Sequence, residues 1–242
     1  MTSKFRASLA VTVSIMGVSL VFPRPGNAQG AATAYPTTMA PVEQYRMARD
    51  AEIALAKSAA PASISDSADV MVLGTAGYET AVKGKNGFVC IVGRSWSRDF
   101  GLDDFWSPNT RAPICFNAAA ARSVLPWYLI RTKWALAGVS ETEMQERSRR
   151  SPAASGIRAP EPGAVGFMLS KQGYINEAVK GPWHPHVMFY APLTSPLTDP
   201  TAWGANVDGS PIHVNDAPTA TYTTFAIPVA RWSDGTPDSM ER

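Results

Sequence analysis

The hydrophobic period of this chain switches from helical to extended, back to helical and then to extended again, and that order restricts the folds open to it. The stretch "PVEQYRMARDAEIALAKSAAP" places Pro41 at a favoured first helical position, continues through good helix formers to Ala60 and stops at Pro61. Its larger apolar residues, Val42, Tyr45, Ile53 and Leu55, do not share one face, so the helix should lie on a surface rather than inside a bundle. "DVMVLG" and "YETAVKGKNGFVCIVGRSW" then read as extended. Within the second, Gly84-Lys85-Asn86-Gly87 separates two β-prone runs and signals a hairpin, since Asn and Gly accept positive φ at low cost.

Asn117 can cap the next helix, "AAAARSVLPWYLIRTKWALAG", which Pro126 should kink or divide and Gly138 should end. Ser140-Glu141-Thr142-Glu143 has capping-box order, with Glu143 placed to reach back, and opens a second short helix to about Arg150. The arginines at 147, 149 and 150 read as the solvated end of that helix. Beyond the loop "SPAASGIRAPEPG", separated strands are expected at Ala164 to Ser170, His186 to Ala191 and Thr221 to Val229. Long Pro/Gly-rich loops such as "PLTSPLTDPTAWGANVDGSP" join them. The class predicted is α+β: a mainly antiparallel sheet with two or three helices packed against it.

The first 28 residues read as a signal peptide for export. Lys4 and Arg6 form its charged start, Ala7 to Phe22 is apolar and uncharged, and Gly26 and Ala28 offer small residues to a peptidase. An apolar run this short is marginal for spanning a bilayer, which takes roughly 20 residues. Residues 29–40 form a small, polar, Pro-containing lead-in, and 41–242 are expected to make a single domain. Of 22 basic residues, Lys4, Arg6 and Arg24 belong to the signal, which leaves 19 against 20 acidic ones and a net charge of −1. A near-neutral product gives no electrostatic case for nucleic acid or an acidic membrane surface as partner. The expected location is the bacterial periplasm or the medium.

An exported chain with two cysteines, Cys90 and Cys115, most simply pairs them. Closing such a loop stabilises a fold by roughly 3 kcal/mol in the chain-entropy account. The competing reading is a catalytic thiol with a histidine as base.

Two of the three histidines stand in "GPWHPHVMFYAP". On a strand, His184, His186, Met188 and Tyr190 point one way and Val187 and Phe189 the other. His-x-His with His213 from "SPIHVND" would supply three nitrogen ligands for zinc, and a thioether beside imidazoles would suit copper. A metal-dependent hydrolase or a metal-handling protein is the function that set implies. The plainer reading has Pro185 mark a strand entry, with imidazoles bonded to loop carbonyls, and no cofactor at all.

Seven tryptophans are many for this length, and several fall in loops: "DFWSPN", "GPWHP", "TAWGAN" and "ARWSDG". Trp183 and Trp203, with Tyr190, are candidates for stacking on a small ligand, a glycan or another envelope protein, against the alternative that such rings anchor loops over the sheet ends. G-x-S-x-G, G-x-x-x-x-G-K-[ST] and G-x-G-x-x-G do not occur. Asp103-Asp104 and the pair Asp66 and Asp69 lie in turn-like surroundings where solvation or capping accounts for them.

The segments "GKNGFVCIVGRSW", "FWSPNTRAPICFNAAAARSVLP", "EPGAVGFMLSKQGY", "HPHVMFY", "TAWGANVDGSP" and "PVARWSDGT" together resemble a family of uncharacterised exported bacterial proteins. The resemblance covers most of the chain from about Lys83 onward and implies a secreted single-domain protein. It carries no reaction, cofactor or partner. A disulfide-tied, non-enzymatic binding protein of the cell envelope is the function these readings favour. N-terminal sequencing of protein recovered from the periplasm is expected to start near Gln29, and an intact Met1 in the membrane fraction would show an uncleaved anchor instead.

Overall fold

The computed structural model describes residues 35–150, 158–192, 200–214 and 222–239. The export segment, the first half of the lead-in and the connections at 151–157, 193–199 and 215–221 lie outside the described residues. In chain order the elements are α1 (Arg49–Lys57), α2 (Ala62–Ser65), β1 (Asp69–Leu73), β2 (Tyr78–Val82), β3 (Val89–Gly93) and β4 (Ala112–Phe116). They continue with α3 (Ala118–Ser123), α4 (Leu125–Leu136), α5 (Glu141–Arg150), β5 (Val165–Met168), β6 (His186–Pro192), β7 (His213–Val214) and β8 (Tyr222–Pro228). All the strands join one eight-stranded sheet in the order β2-β1-β3-β4-β5-β6-β8-β7. Its pairings are antiparallel except that of β1 with β3, so the architecture is the α+β class expected.

The parallel pair corrects the predicted hairpin at Gly84–Gly87. β2 and β3 are not partners, because β1 lies between them, and the hairpin is β1–β2. The turn instead crosses the start of β1: Lys85 and Asn86 donate their backbone amides to the Ser67 carbonyl at 2.8 and 3.2 Å, and Gly84 N–H bonds Asp69 Oδ1 at 2.6 Å. A Cβ on Gly84 would sit 2.3 Å from the Ser67 carbonyl oxygen, so glycine is required there for close backbone approach, not for a tight turn.

The helix predicted over 41–60 is also interrupted. A 3₁₀ turn at Val42–Gln44 precedes α1, and the intervening residues leave the helix. Tyr45 causes the break: it is fully buried, its hydroxyl donates to the Trp106 carbonyl at 2.7 Å, and its own carbonyl accepts from Arg94 Nε at 2.8 Å. A continuous helix would have spent that carbonyl on its own ladder.

Elsewhere the local signals act as expected. Asn117 Oδ1 accepts from Ala120 N–H at 2.9 Å, and the helix divides at Val124, just before Pro126. Ser140 Oγ accepts from Glu143 N–H at 3.2 Å, but the Glu143 carboxylate turns forward to Arg147 at 3.0 Å rather than back. Arg150 likewise pairs with Glu146, four residues before it on the solvated face.

Alternation along the strands divides the core between the two faces of the sheet. One face buries Val70, Cys90, Val92 and Cys115 under Leu55 and Ala56 of α1. Cys90 and Cys115 are register partners on β3 and β4 and form the disulfide, which removes the free thiol that covalent catalysis would need. On the other face Ile91, Ile114, Phe116, Met188 and Tyr190 cluster with Trp127, Trp134 and Val124 around α4. Among the described residues no helix is long and apolar enough to cross a membrane.

Between α1 and the sheet lies a wholly buried ion pair. Arg94 Nη2 meets Glu52 Oε1 at 2.8 Å, and that oxygen also accepts from Leu73 N–H at 3.1 Å. Arg94 Nη1 further donates to the Val92 carbonyl. Replacing Glu52 by leucine would strand a buried guanidinium, and chemical denaturation should register a loss of about 3–5 kcal/mol. The double variant E52L/R94M should recover most of it. A single variant within about 1 kcal/mol of the parent would show that the pair does not hold α1 in place.

Candidate functional site

The face opposite the disulfide carries a cavity of about 860 Å³. Its floor is the sheet: Ile114 of β4, Met168 of β5, His186, Met188 and Tyr190 of β6, and Tyr222, Thr224 and Ala226 of β8. Register explains the floor, because Met168 pairs with His186, Met188 with Ala226 and Tyr190 with Thr224, and cross-strand partners share a face. Gly166 lets the Tyr190 ring lie across the sheet, since a Cβ there would stand 2.7 Å from the Tyr190 hydroxyl.

Trp127, Tyr128 and Arg131 of α4 form one wall, three and four residues apart on a single helix face. Ser97 to Phe100 and Leu102 form a second, and Ile175, Asn176 and Val179 a third. These last two walls are tied together. Glu177 accepts from Tyr174 Oη at 2.6 Å, Asn109 Nδ2 at 2.8 Å and Ser107 Oγ at 3.1 Å, while its backbone N–H bonds Asp104 at 3.3 Å. The bonds from Tyr174 and Asn109 hold the Glu177 carboxyl below its usual range. Asp104 in turn pairs with Arg98 at 2.7 Å. Two other acids singled out from the sequence are engaged: Asp66 pairs with Lys57 at 2.8 Å, and Asp69 accepts from Gly84 N–H.

Of the residues singled out from the sequence, Trp183, His186, Tyr190 and His213 come together at this cavity. His184 does not line it: its Nδ1 meets Asp238 Oδ2 at 2.7 Å. Trp203 lies away from the cavity, 44 % exposed, with its ring 4.9 Å from that of Phe225. Trp96, Trp106, Trp127, Trp134 and Trp232 are buried, as loop and helix anchors should be.

The strand alternation read at "HPHVMFY" appears for His186, Met188 and Tyr190, which are buried, while Phe189 faces out. His186 Nδ1–H donates to the His184 carbonyl at 2.7 Å, which leaves the lone pair on Nε2 in the neutral ring. The Trp183 indole packs edge-on against all three imidazoles, its centroid 5.6 Å from His184, 4.8 Å from His186 and 5.5 Å from His213. Indole is a donor without a ligating lone pair. Among the described residues no group of three or more His, Cys, Asp or Glu is arranged to hold a metal ion.

Arg131, Asp99 and Ser97 are cavity residues that sequence reasoning missed. Arg131 is 3 % exposed, and its guanidinium stacks 4.0 Å from the Phe100 ring centroid and 5.3 Å from that of Trp127. Its Nε and Nη2 have no hydrogen-bond acceptor among the described residues, and neither has Ser97 Oγ a partner. Burial lowers the guanidinium to about 10, so it remains a cation at neutral pH. Burial likewise raises the Asp99 carboxyl, against the pull of Arg131 and Arg98. A lone arginine inside the apolar run "WYLIRTKWAL" was the available signal. The same burial pushes the Tyr128 phenol up to about 12 and those of Tyr190 and Tyr222 well above their usual value, so all three are neutral hydroxyls.

Burial also lowers the His186 imidazole from 6.5 to about 4. Between those values the unfolded chain binds a proton that the folded chain refuses. The stabilisation from a neutral His186 is therefore complete above pH 6.5 and disappears as pH falls to about 4, a loss on the order of 3 kcal/mol. Urea denaturation from pH 7 to pH 4.5 should show this fall in the parent, and His186→Gln should lessen it. An equal slope in both would place the proton uptake elsewhere.

No family model, curated protein or solved structure matches the chain.

Proposed function

We propose that this chain is an exported, non-enzymatic binding protein that encloses a small amphipathic organic molecule against one face of its sheet. The observation that carries the reading is the cavity of about 860 Å³, within the range that admits ligands of drug-like size. A little more than half of its lining is aromatic and aliphatic, including Phe100, Trp127, Met168, Trp183, Met188 and Tyr222, and ten of its residues are polar or charged. Such a composition favours partition of an apolar body, while isolated polar atoms fix its orientation. The disulfide and the apolar first segment support export. A small ligand fits better than a glycan read by surface rings, because most of the tryptophans are buried and Trp203 already stacks on Phe225.

The test is titration with N-phenyl-1-naphthylamine, a neutral dye whose fluorescence rises in apolar surroundings. One dye per native protein is expected. Ala226→Trp, which places an indole on the cavity floor, should weaken binding by roughly tenfold or more while the thermal transition stays cooperative. Failure of the native parent to bind, or equal binding by the filled variant, would refute the reading.

A further inference from the structure

We infer, building on that reading, that the ligand is an organic monocarboxylate whose two oxygens are taken by Nε–H and Nη2–H of Arg131. Its apolar body then lies over Met188, Tyr190 and Tyr222. Three arginines line the cavity, and two are already committed. Arg94 is spent on Glu52, the Tyr45 carbonyl and the Val92 carbonyl, and Arg98 on Asp104. Among the described residues Arg131 alone of the three forms no ion pair and has buried donors without an acceptor, although it is 3 % exposed. A buried guanidinium without an acceptor is a costly arrangement, which a carboxylate in the cavity would relieve.

The geometry of the guanidinium narrows the ligand. Phe100, 4.0 Å away, covers one of its faces, and stacking leaves the in-plane N–H groups available. Nε and Nη2 are the two nitrogens that are both buried and without an acceptor, and their N–H bonds run parallel along one edge of the plane, which must turn toward the cavity to meet a ligand. That edge matches the two oxygens of a single carboxylate. Ser97 Oγ, also unpartnered and on the cavity wall, can add a third hydrogen bond to the same group or to a neighbouring hydroxyl.

The surrounding charge favours a monoanion over a phosphate dianion. Arg94 and Arg98 each pair with a carboxylate, which leaves Arg131 as the arginine of the cavity without an ion pair among the described residues, and Asp99 shares the cavity. A second negative charge on the ligand would meet Asp99 with no further unpaired arginine to offset it.

The probes are 1-pyrenebutyrate and its neutral isostere 1-pyrenebutanamide, titrated by fluorescence against the full exported protein. The parent should bind the carboxylate at least about tenfold more tightly than the amide. Arg131→Met should bring the two to equal affinity, and Arg131→Lys, which keeps the charge and loses the fork, should fall between. The comparison of probes on the parent needs no variant, so it stands even if the Arg131 substitutions unfold the protein. Equal affinity of the parent for acid and amide, with N-phenyl-1-naphthylamine still bound, would overturn the carboxylate and leave the cavity reading standing. Loss of all three ligands would overturn both.

Discussion

The buried pair of Arg94 and Glu52 is the joint on which the arrangement of this molecule depends. Arg94 follows β3 directly, and through one side chain it reaches the carbonyl of Tyr45, the carbonyl of Val92 and the carboxylate of α1. Glu52 extends the joint to β1 through Leu73 N–H. Two ions withdrawn from water need such complete partnering, because desolvation would otherwise exceed their attraction. The consequence reaches the cavity. Tyr45, fixed by Arg94, holds the Trp106 carbonyl, and the segment from Arg94 to Leu102 supplies a cavity wall.

The two faces of the sheet do different work. The α1 face is closed by alanines, valines and the disulfide, whose half-cystines sit opposite each other on adjacent strands. The other face is covered by α4 over β3 and β4 and opens toward β6 and β8. Residues of β5, β6 and β8 line the cavity beside Trp127, Tyr128 and Arg131 of α4, so α4 shelters only part of this face. The uncovered part of that face becomes the cavity floor, and its aromatic rings occupy the step between covered and open strands.

Much of this was legible in local chemistry. The Asn117 cap, the division before Pro126, the stop at Gly138 and the alternation at "HPHVMFY" are decided by neighbours in sequence, and the structure places each where the local rule puts it. β4 was not recognised because "APICF" has no alternation: its residues are buried on both faces by α1 on one side and α4 on the other. The Gly84 turn and the break at Tyr45 failed for a different reason, since each is set by a backbone group remote in sequence, Ser67 in one case and Arg94 in the other. Among the candidate residues, imidazoles and exposed-looking tryptophans drew attention because they are scarce or large. Arg131 is neither; its place in an apolar run is a sequence signal, but its lack of acceptors is decided by the tertiary packing around it.

Several buried polar groups find their partners within the chain: Thr132 Oγ1 accepts from Trp96 Nε1 and donates to the Tyr128 carbonyl, and Glu177 gathers the hydroxyls and amide of two loops, whereas the buried hydroxyls of Ser95 and Thr110, away from the cavity, have no partner among the described residues. Arg131 stands one residue from Thr132 on the same helix, yet its fork is left unpaired at the edge of a space large enough for a molecule. A fold able to satisfy Arg94 so fully could satisfy Arg131 in the same way, with a carboxylate from the adjacent loop. Asp99 lies in that loop and shares the cavity, but forms no ion pair with it. The incomplete partnering of Arg131, unlike that of the neutral hydroxyls of Ser95 and Thr110, leaves a buried charge beside the cavity, and that charge is what the proposed carboxylate would offset.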